Sequence, residues 1–108
     1  MTTFQDRETA FEAKFAHDAE MRFRLAARRD RLFAAWLARQ RHLSEADHAE
    51  LLASVFAIHD DAGHDTRLLA LAEATFAGSG QAPSGVDVSR ALLDCAEQAR
   101  QQLTFNIQ

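Results

Sequence analysis

From position 3 to position 41 the chain carries neither proline nor glycine, and that absence constrains the fold more than any motif does. Proline and glycine are the residues that most strongly interrupt helices, so the stretch predicts one helix of roughly 57 Å at 1.5 Å per residue. The remainder follows the same rule, because one proline and four glycines in 108 residues leave few interruptions. Isoleucine and valine are scarce, and no segment alternates apolar and polar residues over the length of a strand. The expectation is an all-α fold, a four-helix bundle with a long or jointed N-terminal helix, built as one small domain.

Within that first helix Phe4, Phe11 and Phe15 stand seven and four residues apart, which places them within roughly 40° of one another. Arg7, Glu8, Lys14 and Asp18 flank the seam, with Asp6 and Glu12 further round. The apolar stripe is therefore narrower than the roughly 100° of a core-facing helix. Two readings fit it: the helix packs on its own domain, or it offers aromatic anchors to a groove on another protein. A second stripe begins at Met21 and continues through Leu25, Leu32 and Trp36, widened by Ala26, Phe33 and Leu37, and it is broad enough for a core. A weak joint is expected near residues 17–21, dividing the chain into a partner-binding segment at 1–18 and a helical bundle at 19–108.

Ser44 as N-cap, with Glu45 and Asp47 behind it, predicts a helix over 45–60 whose inner face is Leu51, Leu52, Val55, Phe56 and Ile58 or His59. Gly63 is expected to end that helix at a position of positive φ. Asp65, beside His64, is expected to cap a third helix over 66–77 that carries Leu68, Leu69, Leu71, Ala72 and Phe76. Residues 78–85, GSGQAPSG, have the composition of a mobile connection. Asp87 or Ser89 then caps a last helix with Val88, Leu92, Cys95, Ala96, Ala99 and Leu103 at helical spacing, and the tail from 104 frays unless Phe105 and Ile107 fold back. The expected core gathers Phe33, Trp36, Leu52, Phe56, Leu69, Phe76 and Leu92.

The chemistry-bearing residues form no recognisable catalytic pattern. No Ser-His-Asp ordering, glycine-rich phosphate loop or carboxylate pair in an apolar setting occurs, so no catalytic residue, cofactor or enzyme activity is expected. His59, Asp60, Asp61, His64 and Asp65 are dense, but they straddle a helix end without the spacing of a zinc site. Caps and helix-dipole partners are the expected roles, and no metal is called for. The lone Cys95 excludes an internal disulfide and falls in an apolar helix face as a small core residue. Arginines crowd residues 22–41, yet they point all round the helix and the formal net charge is -4, which argues against a nucleic-acid partner. Arg28 and Arg29 lie beside the second stripe and are expected to make structural ion pairs while their stems cover apolar surface. No apolar run approaches the roughly 18 residues of a membrane span. A cytoplasmic protein without direct membrane insertion is expected.

The strings DRETAFEAKFAHDAEMRF at residues 6–23, AARR at 26–29 and LFAAWLA at 32–38 resemble the zeta subunit of alphaproteobacterial F-type ATP synthases, an ATPase inhibitor family. GVDVS at 85–89 and AEQARQQL at 96–103 extend the similarity more modestly. Two departures concern loops: Asp60, Asp61, Ala62 and Gly63 stand where relatives tend to carry an acidic loop with a Pro-Gly pair, and residues 78–85 look like an irregular insertion. The resemblance implies a four-helix bundle whose mobile N-terminal segment folds on the enzyme and enters an interface between the α and β subunits, next to the γ shaft. It thereby blocks ATP hydrolysis. Carried onto the matching string, the inhibitory positions are Phe4, Arg7, Glu8, Phe11, Glu12, Lys14 and Phe15. The partner is then the synthase head, which keeps the protein at the inner membrane as a peripheral component. The competing readings are a helical adaptor or regulatory domain with another protein partner, and a bundle that binds a small ligand or metal.

Overall fold

In a computed structural model that describes residues 3–77 and 85–106, the breaker-free stretch forms a single helix, α1, Phe4–Gln40. Three more follow: α2, Glu45–Phe56; α3, His64–Phe76; and α4, Gly85–Asn106. The described residues contain no strand. The connection expected to be mobile falls, but for Gly85, outside the described residues, as do Ile107 and the side chain of Phe105.

Both ends of α1 are closed locally. Thr3 Oγ1 accepts from the Asp6 N–H at 3.1 Å while the Asp6 carboxylate accepts from the Thr3 N–H at 3.3 Å, a reciprocal cap that satisfies two otherwise orphaned donors. At the other end His42 has φ 51°. The His42 N–H donates to the Arg39 carbonyl at 3.2 Å and the Leu43 N–H to the Ala38 carbonyl at 3.0 Å. That pair of bonds is the Schellman arrangement, usually closed by glycine; here a histidine accepts the left-handed conformation and turns the chain toward Ser44. Ser44 Oγ accepts from the Asp47 N–H at 3.2 Å and starts α2.

α2 and α4 pack along α1, and α3 packs against α4. Phe33, Leu37, Leu51, Val55, Leu68, Ala72, Phe76, Val88, Leu92 and Cys95 make the core. Small residues at Ala34, Ala72 and Ala91 allow the helices to approach closely. Trp36 bridges α1 and α3: its ring stacks on Phe33 with centroids 5.8 Å apart and meets Phe76 edge-on at 6.3 Å.

Several expectations are corrected. α1 runs unbroken through residues 17–21; the change there is in packing, since every described side chain from 5 to 20 is exposed and burial begins at Met21. α2 stops at Phe56 rather than 60. Its buried ridge is Leu51 and Val55, one turn apart, which leaves Leu52 and Phe56 about 100° round the helix; Leu52 is half-buried and Phe56 is 46% exposed. The same offset moves Leu69 off the ridge of Leu68, Ala72 and Phe76. Gly63 does not take positive φ. It is the N-cap of α3, at φ -93°, so His64 and Asp65 belong to the first helical turn and are released from capping. α4 starts at Gly85, which places Asp87 in its first turn and Ser89 in its interior.

Candidate functional site

α1 outruns the bundle. Its 37 residues span about 55 Å at 1.5 Å each, and the molecule measures 67 × 29 × 26 Å with a radius of gyration of 17.8 Å. A compact chain of this length would have a radius of about 13 Å. The excess is the N-terminal part of α1, ahead of Met21, which stands clear of the other helices.

Arg7, Glu8, Glu12, Lys14 and Phe15 all lie on this overhang and are exposed, Phe15 by 63%. Phe4 and Phe11 belong to the same helix, and their side chains fall outside the described residues. Phe15 precedes the fully buried Phe33 by eighteen residues, about five whole turns. The seam therefore continues the core-facing side of α1 past the point where α2 and α4 cease to cover it. At Phe15 the helix presents an apolar side chain in core register without a core to cover it. Residues seven or four apart on one helix are brought to one side, while Arg7, Glu8, Glu12 and Lys14 spread over its flanks.

A second polar constellation joins His64, Asp65 and Arg29 through Asp30, the one member that the sequence reading does not mark. Asp30, only 4% exposed, sits on the buried side of α1 and accepts from Arg29 Nε at 2.9 Å. Its other oxygen lies 2.7 Å from His64 Nε2, and His64 Nδ1 lies 2.9 Å from the His59 carbonyl. With acceptors on both ring nitrogens, the doubly protonated imidazolium is the form that satisfies the site. Burial alone would lower the His64 pKa, but the His59 carbonyl and the Asp30 carboxylate together raise it. Arg29 also grips Asp65 in a fork, at 2.8 and 3.3 Å. Burial opposes its charge, and Asp65 with Asp30 outweighs that and raises its pKa. Arg28 donates to Gln102 at 3.2 Å and so ties α1 to α4. The ion pairing expected of both arginines is found for Arg29, whereas Arg28 bonds instead to the neutral Gln102 amide. Asp61 is held below the usual carboxylate range first by Arg67 and then by the Gly63 N–H.

The signal for Asp30 was present in the spacing: it falls four residues after Ala26 and three before Phe33, in register with the core stripe. The dense His and Asp group near Gly63 is thus an anchor between α1 and the start of α3. Among the described residues no group of three or more His, Cys, Asp and Glu side chains is arranged to hold a metal, and no helix is long and apolar enough to cross a membrane. Above the anchor, Phe23, Ala26, Val55, Phe56 and Ile58 line a cleft of about 170 Å³, below the roughly 300 Å³ at which cofactor pockets begin.

The family model of ATPase inhibitor subunit zeta matches residues 1–102. No curated relative and no solved structure matches the chain. By the extent of that match the chain belongs to the ATPase inhibitor subunit zeta family.

Proposed function

We propose that this member of the family blocks ATP hydrolysis by inserting the overhang of α1 into an interface between the α and β subunits of an F-type ATP synthase head, beside γ. Residues 1–18 form the inhibitory segment and 19–108 the bundle that carries it. The observation that supports this reading most is the core-facing side of α1 continuing, uncovered, through an exposed Phe15. Phe4, Phe11 and Phe15 are the anchors. Arg7 and Lys14 on one flank, with Glu8 and Glu12 on the other, set orientation. A buried phenylalanine contributes about 1.5–3 kcal/mol on leaving water, so three anchors supply much of a tight complex before ordering costs are subtracted. Attachment to the head makes the protein peripheral to the inner membrane.

The test is ATP hydrolysis by the cognate head in the presence of the full chain, of a Phe11→Ala/Phe15→Ala variant, and of a chain lacking residues 1–18. Loss of inhibition in both variants with little change in melting temperature is expected. A truncated chain that inhibits fully would place the activity in the bundle, and one that unfolds would make the overhang part of the fold.

A further inference from the structure

The overhang is not the only part of α1 left without a neighbour. One turn into the bundle, a groove of about 330 Å³ opens between α1 and α4, lined by Phe23, Arg24, Ala27, Arg28, Arg31 and Leu103. Three of these six side chains are cationic and none is acidic. Arg24 and Arg31, seven residues apart, stand within about 20° of each other, with Arg28 about 40° further round. Phe23, 64% exposed, and Leu103, half-buried, supply apolar surface.

We infer that this groove binds an acidic segment of the ATPase, one carrying at least one apolar side chain, as a second contact beside the overhang. The inference rests on the function proposed above and specifies how the bundle itself engages the partner. Charge complementarity selects the occupant. Guanidinium groups pair with carboxylates through two parallel hydrogen bonds, and the ties already made by these arginines are weak or partial. Arg24 pairs with Glu20 at 2.9 Å with both side chains 58% exposed, a surface pair that a partner carboxylate can replace at little cost. Arg28 gives one terminal nitrogen to Gln102 and retains other donors. Arg31 is exposed and lies over the Phe56 ring at 6.0 Å, a contact that leaves its N–H donors available to a carboxylate. A nucleic acid fits less well, because the groove offers three cations, short of the roughly six to ten phosphate contacts through which proteins commonly hold a duplex.

Geometry adds a constraint. Phe15 lies nine residues before Arg24, about 180° round the helix. Seam and groove face opposite sides of α1, so one flat surface cannot touch both. A partner that uses both surrounds the helix, as the walls of an intersubunit cleft would.

The test uses the full chain and the isolated cognate ATPase head. Arg24→Glu/Arg31→Glu is compared with Arg24→Gln/Arg31→Gln and with Phe11→Ala/Phe15→Ala in affinity, salt dependence and inhibition at saturation, after melting curves have established that each is folded. A photoreactive side chain at position 27 reports what lies in the groove. The inference expects the glutamate variant to bind about tenfold or more weakly, the glutamine variant to fall between it and the parent, both to show shallower salt dependence, and both to inhibit completely once saturated. It expects crosslinks to a segment rich in Asp and Glu. Unchanged affinity in both arginine variants overturns it, as do crosslinks to a neutral or basic segment. It is also overturned if these variants lose binding to a short DNA duplex or to anionic vesicles while keeping their affinity for the head. If the phenylalanine variant inhibits like the parent, the function proposed above fails, whichever way the groove result falls.

Discussion

Replacing His64 by alanine removes the imidazole that sits 2.7 Å from Asp30 and 2.9 Å from the His59 carbonyl. Asp30 is 4% exposed while the imidazole covers it, and both line the same cleft, so water entering the vacated space offsets part of the loss. Removing the whole counter-charge of a buried pair costs about 3–5 kcal/mol. Arg29 remains at 2.9 Å, and the appropriate figure is that of one charged hydrogen bond lost from a partly satisfied buried group, about 1–3 kcal/mol. For a domain whose whole stability is about 5–15 kcal/mol, the melting temperature should fall by roughly 5–15 °C. The effect depends on pH with a definite sign. A His64 pKa raised by folding means that the folded state holds this proton more tightly than the unfolded chain. Its contribution is fully present below the unfolded value of about 6.5 and is lost as pH rises through the folded value. The charges around the ring are Asp30 and Arg29 from α1 and Asp65 from α3, with Asp60 beside it at the cleft. Urea denaturation from about pH 5.5 to about pH 9, spanning the ordinary histidine range, should show the gap between parent and His64→Ala narrowing as pH rises. Asp30→Asn, which keeps the shape but removes the charge, should narrow the gap at low pH as well. Equal stability of parent and His64→Ala at low pH, or a gap that widens with pH, would refute the reasoning.

His42→Gly should raise stability by up to about 1 kcal/mol, because glycine takes the left-handed conformation without the steric penalty of a side chain; thermal or urea melts check it. Phe33→Ala should cost about 3–5 kcal/mol, whereas Trp36→Ala, at a half-buried position, should cost less than Phe33→Ala in the same urea titration. The Cys95 thiol is pushed up first by burial and then by Asp94, so iodoacetamide should leave it unmodified in the folded protein and alkylate it in denaturant, as mass spectrometry would record.

Much of the fold was legible because helix signals are local. The breaker-free run, Ser44 as N-cap and the apolar ridges at Leu68 and Val88 each depend on neighbours within a few residues. The failures share a cause. Phe56, Leu52 and Leu69 were expected inside because they are large and apolar, yet burial depends on angle, and each stands about 100° from a ridge residue beside it. Large side chains lost to small ones there: Ala34, Ala72 and Ala91 are buried because close helix packing needs them. Gly63 is the permissive residue, yet it is His42 that takes a left-handed conformation, held by the two Schellman hydrogen bonds. Asp30 looks like an exception, an acid in a core register, until its partners are known, and of these Arg29 is adjacent while His64 lies 34 residues away in sequence. For the overhang, spacing identified the seam, but not that the seam is collinear with the core stripe; that relation needs the uninterrupted helix between residues 15 and 33.

That uninterrupted helix bears on how the overhang can act. A separate peptide of its length would sit near the margin of helix formation in water, since nucleating the first turn is costly and lengths of about 12–15 residues barely offset it. Here α1 is already nucleated in the bundle by Phe33 and Leu37, both fully buried, so extending it toward Thr3 adds one hydrogen bond for each residue ordered. The Thr3 and Asp6 cap closes the far end, and Asp6 places a negative charge where the helix dipole favours it. The bundle thus serves the overhang as a preformed nucleus. A partner that takes the overhang as a helix spends less of its binding energy on ordering it than it would on a free peptide of the same sequence. Substitutions that leave α1 intact but loosen its anchorage at Asp30 and Arg29 would act on the overhang from a distance, through the helix that both share.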